Sequence, residues 1–186
     1  MRTSLLIALI VAVAGTARAV QPPRAWSHLR CLTGASQQLA AAAVERSPLV
    51  ATLLGELEQS DVVVYLEALT SPPDNEFHGA TTFVAWAGGV RFLRVQVDAY
   101  LTLPIERIAM LGHELAHALE VARAPQVHDL VGFCRLYREI GTQWRPGHFE
   151  TTNAQEAERR VRDEVLWGGP KHGGARPATP RPPEHP

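Results

Sequence analysis

The sequence predicts one α+β domain: a small, three-stranded, mainly antiparallel sheet packed on a central apolar helix, with further helices on its N- and C-terminal sides. Three observations carry this. Three β-prone runs lie within residues 61–97, two of them joined by Gly88-Gly89. An apolar stretch of helical period follows Pro104. Helical patterns also flank both, without internal repeats, in a 186-residue chain that suits a single core.

The first nineteen residues read as a leader. Met1-Arg2 is a basic start, Leu5 to Ala14 is apolar, and Ala17-Arg18-Ala19 is a small-x-small cleavage pattern. That apolar run is about half of what a bilayer span needs, so a secreted or periplasmic protein without stable membrane insertion is expected. Domain boundaries follow at residues 20–168. From 169 to 186 the chain is rich in proline and glycine, with nothing to bury, and is expected to be disordered. The net charge of −1, with no basic stripe, argues against nucleic acid as a partner. In an oxidising compartment Cys31 and Cys134, the only cysteines, are expected to pair.

Within the domain, residues 26–31 suggest a helical turn or two, and 37–45 an alanine-rich helix. Ser47-Pro48 supplies a cap and a first-turn proline for a helix that buries Leu49, Leu53, Leu54 and Leu57 and ends near Ser60. Val62 to Leu66 is a continuous β-prone run within a buried strand, 61–69. Strands at 81–87 and 90–97 flank a two-residue glycine turn, and Leu93, Val95 and Val97 alternate with polar residues. The long helix, 105–124, is more apolar than a surface helix should be. Pro125 interrupts it. A helix at 126–140 ends at Gly141, and a last helix covers 152–167.

The long helix carries His113-Glu114-Leu115-Ala116-His117. Residues four apart share a helix face, so the two imidazoles can hold one metal ion. Glu114, slightly to the side, can take a proton from a water that zinc has acidified and pass it to a leaving amine. Zinc is therefore the expected cofactor, and His113, Glu114 and His117 the expected core of the site. Two histidines and a glutamate in a buried helix would be costly without a ligand.

The third ligand is open among several glutamates. Glu120 shares the ligand face but lies beyond His117, where it suits a group that hydrogen-bonds a ligand. Glu139 lies away from the buried stripe of its helix. Glu150 is favoured: if the last helix begins a residue or two early, it heads a stripe with Ala154, Ala157, Val161 and Val165. Glu156 lies opposite that stripe and Glu158 is marginal to it.

With these residues in view the chain resembles a compact gluzincin, a zinc peptidase of the zincin superfamily. The likeness runs roughly from Ser47 to Trp167, and only the His113-to-His117 motif in it is specific. The chain is also similar to small secreted bacterial proteins with a His-Glu-Leu-x-His-Ala-Leu-Glu segment and a later Phe-Glu-Thr, here His113–Glu120 and Phe149–Thr151. Neither the metzincin glycine and third histidine nor a thermolysin-like Asn-Glu-x-x-Ser-Asp segment is present, although the Glu139 spacing is thermolysin-like. The resemblance implies a peptide substrate extended along an edge strand before the motif helix, here 90–97, and an acidic ligand such as Glu150. It also implies a group that steadies the developing oxyanion, for which Tyr137 and His148 are the candidates. A monomeric zinc metallopeptidase is the expectation. A catalytically inactive binding protein of this fold, or an envelope amide or ester hydrolase, is the alternative.

Overall fold

The computed structural model describes residues 26–69, 78–101 and 103–168. The leader expected at 1–19 and the tail expected at 169–186 lie outside them. In chain order the elements are β1 (Leu29–Cys31), α1 (Gly34–Arg46), α2 (Pro48–Leu57), β2 (Val62–Leu69), β3 (Gly79–Ala87) and β4 (Val90–Asp98). They continue with α3 (Pro104–Ala122), α4 (Leu130–Ile140), β5 (Thr142–Arg145), β6 (His148–Glu150) and α5 (Thr152–Trp167). The class is α+β: five helices, a four-stranded mixed sheet and a two-stranded hairpin among the described residues. No helix among them is long and apolar enough to cross a membrane.

Local chemistry explains the boundaries. Thr33 caps α1 in a reciprocal box with Ser36, and Ser47 caps α2 by accepting from the Val50 amide, with Pro48 in the first turn. Gly88 and Gly89 both take positive φ, 59° and 79°, as a type I′ turn between β3 and β4 requires. Asp129 caps α4 through the Gly132 amide and Thr151 caps α5 through that of Ala154.

The sheet is where expectation and structure part. Its order is β1-β2-β4-β3, with β1 and β4 both parallel to β2 and only β3 antiparallel to β4. It is thus a four-stranded mixed sheet rather than a three-stranded, mainly antiparallel one. The segment expected to be a helical turn at 26–31 supplies the extra strand, because Leu29–Cys31 pairs with Val64–Leu66. Strand β4, at 90–97 the expected edge, is interior; the edges are β1 and β3.

One sheet face packs on α3, where Val62, Val64, Leu66, Leu93, Val95 and Val97 meet Ile108, Leu111, Leu115 and Leu119. Every residue from Leu111 to Glu120 is buried, since α1, α2 and α5 cover what the sheet leaves open. Helix α5 comes especially close at Gly112, where a β-carbon would sit 2.6 Å from Val161 Cγ2. At the far end of α3 the guanidinium of Arg91, 1% exposed, donates to the carbonyls of Val121 (2.6 Å), Ala124 (2.7 Å) and Ala122 (3.1 Å) and pairs with Asp61.

Three further differences are local. Residues 126–129 are not helical: Val127 is buried from a loop, and α4 starts only after its Asp129 cap. The β5–β6 hairpin stands where no strand was expected. Cys31 and Cys134 are free thiols. Cys31 lies at one edge of the sheet, while α4, which carries Cys134, packs beside β3 at the other. Two strands intervene, whereas a disulfide needs Cα atoms within about 7 Å.

Candidate metal centre

Buried in the middle of α3, His113 and His117 stand one turn apart with ring centroids 4.8 Å apart and edge-on. Their Nε2 atoms approach to 3.1 Å. The other nitrogen of each ring faces a carboxylate: His117 Nδ1 lies 2.9 Å from Glu120 Oε2, and His113 Nδ1 lies 3.2 Å from Glu158 Oε2. Those contacts place the ring hydrogens on both Nδ1 atoms, because a carboxylate can only accept. With both rings neutral, two Nε2 lone pairs would face each other across 3.1 Å, an arrangement that repels unless a proton or a metal ion lies between them.

Glu150 completes the group, its Oε1 3.4 Å from His113 Nε2. One ligand atom from each of His113, His117 and Glu150 lies within 4.8 Å of the others, so this trio could hold a metal ion. Tetrahedral coordination at the usual zinc distances separates neighbouring ligand atoms by roughly 3.3 Å; the His113–His117 and His113–Glu150 spacings of 3.1 and 3.4 Å are near it, and all three ligand atoms lie within 4.8 Å of one another. Glu150 arrives from strand β6, not from an early start of α5, which begins at Thr152.

The supporting carboxylates are themselves held. Glu120 also accepts from Thr151 Oγ1 (2.7 Å) and Asn153 Nδ2 (3.4 Å). Glu158 accepts from Arg162, which bridges to Glu106. Burial alone would lower the His113 pKa, but the carboxylates of Glu150 and Glu158 override it and push it up to about 10. The hydrogen bond with His113 in turn holds Glu158 down to about 2. The metal-free centre favours positive charge at the place where an ion would lie.

Glu114 sits beside the trio, buried at the cavity wall, and burial raises its pKa. Its Oε2 accepts from Thr81 Oγ1 at 2.6 Å. Its Oε1 lies against Gly79, where a β-carbon would stand 2.5 Å from it. Strand β3 thus positions this carboxylate with one hydroxyl and one absent side chain.

A cavity of about 300 Å³ opens in front of the group. Its walls are the start of β3 (Gly79 to Thr82), Met110 of α3, Phe133 and Tyr137 of α4, and the hairpin around Trp144 and Phe149. Among the described residues no lysine or arginine lines it.

The remaining expected residues fall as follows. Tyr137 lines the cavity, edge-on to His117, but its hydroxyl donates to the His117 carbonyl at 2.9 Å, and burial raises its pKa well above the usual value. His148, exposed on β6, rims the cavity beside Trp144. Glu139 is exposed on the last turn of α4 and Glu156, exposed on α5, pairs with Arg159; neither joins the group. Gly79 and Thr81 were not expected at the site. The alternation of residues 79, 81 and 83 on one strand face was the available signal, but it shows a contact with Glu114 only once β3 is known to flank α3.

Comparison with protein-family models, with curated proteins and with solved structures finds no match to this chain.

Proposed function

We propose that the chain is an exported, zinc-dependent peptidase of zincin-like design. The observation that carries this is the pair of imidazole Nε2 atoms 3.1 Å apart, each ring backed by a carboxylate, with Glu150 completing the trio. Two imidazole nitrogens and a carboxylate oxygen, all within 4.8 Å of one another, suit zinc. An α+β domain whose edge strand flanks the motif helix supports the family likeness.

When bound, zinc supplies Lewis acidity toward water and a peptide carbonyl. The chain's own residues do the rest. Glu114, held by Thr81 and desolvated so that its proton affinity rises, takes a proton from the attacking water. It then delivers that proton to the nitrogen of the departing amine, which leaves the carboxylate as it began. Because the Tyr137 hydroxyl is engaged by the His117 carbonyl, support for the developing oxyanion falls to His148 at the rim, while Tyr137 steadies α3. Substrate lies along β3, the open edge, in place of the interior strand at 90–97.

Two measurements test this: zinc content by elemental analysis of wild type and Glu150→Ala, and peptide hydrolysis by wild type and Glu114→Gln. One zinc per chain, lost in Glu150→Ala, is expected, with Glu114→Gln keeping zinc but slowed on the order of 10²–10⁴-fold. Wild type without zinc, even after zinc is supplied and the excess removed, would sink the proposal.

A further inference from the structure

The hydrogen-bonding phase of β3 follows from one contact. The Asp98 amide donates to the His78 carbonyl at 2.9 Å, which makes 78 and 98 a hydrogen-bonded pair of the antiparallel ladder. Such pairs alternate with pairs whose amides and carbonyls point away from the partner. With the register Gly79↔Val97, Thr81↔Val95 and Phe83↔Leu93, the main-chain groups of Gly79, Thr81 and Phe83 point away from β4. Among the described residues no strand pairs with that edge.

The ladder is short. Between Phe83 and Ala85 the register slips, leaving Val84 as an extra residue opposite β4. A bulge of this kind bends the strand and ends regular pairing. Beyond it Trp86 is stacked on His128, ring centroids 4.3 Å apart, and the cavity lining contributed by β3 stops at Thr82. The opposite wall is the β5–β6 hairpin, which contributes Trp144 and Gly147 to Glu150.

We propose that the bulge at Val84 sets how much of an extended substrate this edge reads: the outward main-chain groups of Gly79, Thr81 and Phe83 and no further. This rests on the peptidase reading of the same site. Recognition then spans about five residues of substrate, those that lie opposite Gly79 to Phe83. A helix satisfies its own backbone groups and offers nothing to pair. Thr81 couples binding to chemistry, since its hydroxyl holds Glu114 while its backbone joins the ladder.

The test uses full-length, zinc-loaded protein and alanine–leucine peptide hydroxamates of one to seven residues, the chelating group at the C terminus in one series and the N terminus in the other. Dissociation constants should tighten with length and level off once about five residues are spanned. N-methylation along the best peptide should weaken binding on the order of tenfold at alternate positions and less than about twofold between them. Deleting Val84 should move the plateau outward by about two residues; if that variant misfolds by circular dichroism, the N-methyl series on wild type decides. Affinity set by the hydroxamate alone, tightening that continues to seven residues, or an N-methyl effect without alternation would each overturn the proposal. Hydrolysis of unmodified peptides is read separately. Alternating binding without hydrolysis overturns the peptidase reading and leaves the ladder standing. Hydrolysis without alternation does the reverse.

Discussion

Replacing Arg91 with leucine should cost about 3 kcal/mol of unfolding free energy. The guanidinium is 1% exposed and satisfies three carbonyls at the end of α3, two of them within 2.7 Å. A buried acceptor stripped of its donor costs roughly 1–3 kcal/mol, and three are involved. Their sum is an overestimate. Asp61, 44% exposed, regains water when its partner goes, and the leucine recovers about 1–2 kcal/mol of apolar burial. Urea unfolding followed by circular dichroism, with chelator present so that metal binding does not mask the change, reads the difference. Arg94→Leu is the internal control. Three residues along the same strand and on the opposite face, Arg94 is half-exposed against Glu67, and its loss should cost at most about 1 kcal/mol. Arg91→Lys should recover only part of the loss, because an ammonium cannot reproduce the planar fork. A cost below about 1 kcal/mol for Arg91→Leu, or equal costs for the two arginines, would refute the idea that this cation holds the end of the motif helix.

Removing either supporting carboxylate, by Glu120→Ala or Glu158→Ala, should weaken zinc binding about 10–100-fold, measured by competition with a chelating dye. Glu139→Ala, on the exposed turn of α4, should leave zinc affinity unchanged. Gly79→Ala should keep zinc and most of the stability while hydrolysis falls at least about tenfold, because its β-carbon takes the space of Glu114 Oε1; unchanged hydrolysis would count against β3 as the element that places Glu114. Thermal scans against pH should show the metal-free protein losing stability both above and below a middle range. His113, raised to about 10 from 6.5, contributes stability that is complete below pH 6.5 and is lost as pH climbs toward 10. Raised Glu114 acts in the same direction. Glu158, held down to about 2, contributes stability that is present above pH 4.5 and lost as pH falls toward 2. An alkaline limb that survives zinc saturation unchanged would contradict the placement of the ion between the histidines.

What was legible follows from what hydrophobic periodicity encodes. It reports which face of an element is buried, so β2, the β3–β4 hairpin, α3 and α5 could be read nearly to their ends. It does not report neighbours. That β2 lies parallel to β4, on the side away from β3, depends on α3 covering both, and no local pattern states it. Arg91 was within reach, since it continues the inward series Leu93, Val95 and Val97; a charge on that face needs a partner, and its partners come from the end of another element. Glu150 was favoured for a reason that failed: a helical stripe was expected to turn it inward, whereas a short strand brings it beside the histidines. That strand was hard to see because β5 is exposed throughout and lacks alternation, although Pro146-Gly147, with Gly147 at φ 79°, is a turn signal. Val127 was misleading. Its burial fitted a helical stripe starting at 126, yet Asp129 is the better cap, and the preceding loop buries Val127 on its own.

The centre and the edge strand are one device rather than two features that happen to adjoin. Four carboxylates, from Glu114, Glu120, Glu150 and Glu158, surround two imidazoles, and Glu158 among them has Arg162 in contact. Such a cluster is stable either with added protons, which makes His113 cationic and useless as a ligand, or with a metal ion, which leaves both Nε2 lone pairs in use. A metal ion and protons would therefore compete for the same few ångströms. Glu114 is kept out of that competition by Thr81, whose hydroxyl fixes one oxygen, and by Gly79, whose missing side chain leaves room for the other. These are two of the three residues whose main chain faces the open edge. Any strand that seats there bears on the elements that position the carboxylate, so on the proposed reading the substrate's backbone geometry and the placement of the base would be set by the same short run of β3.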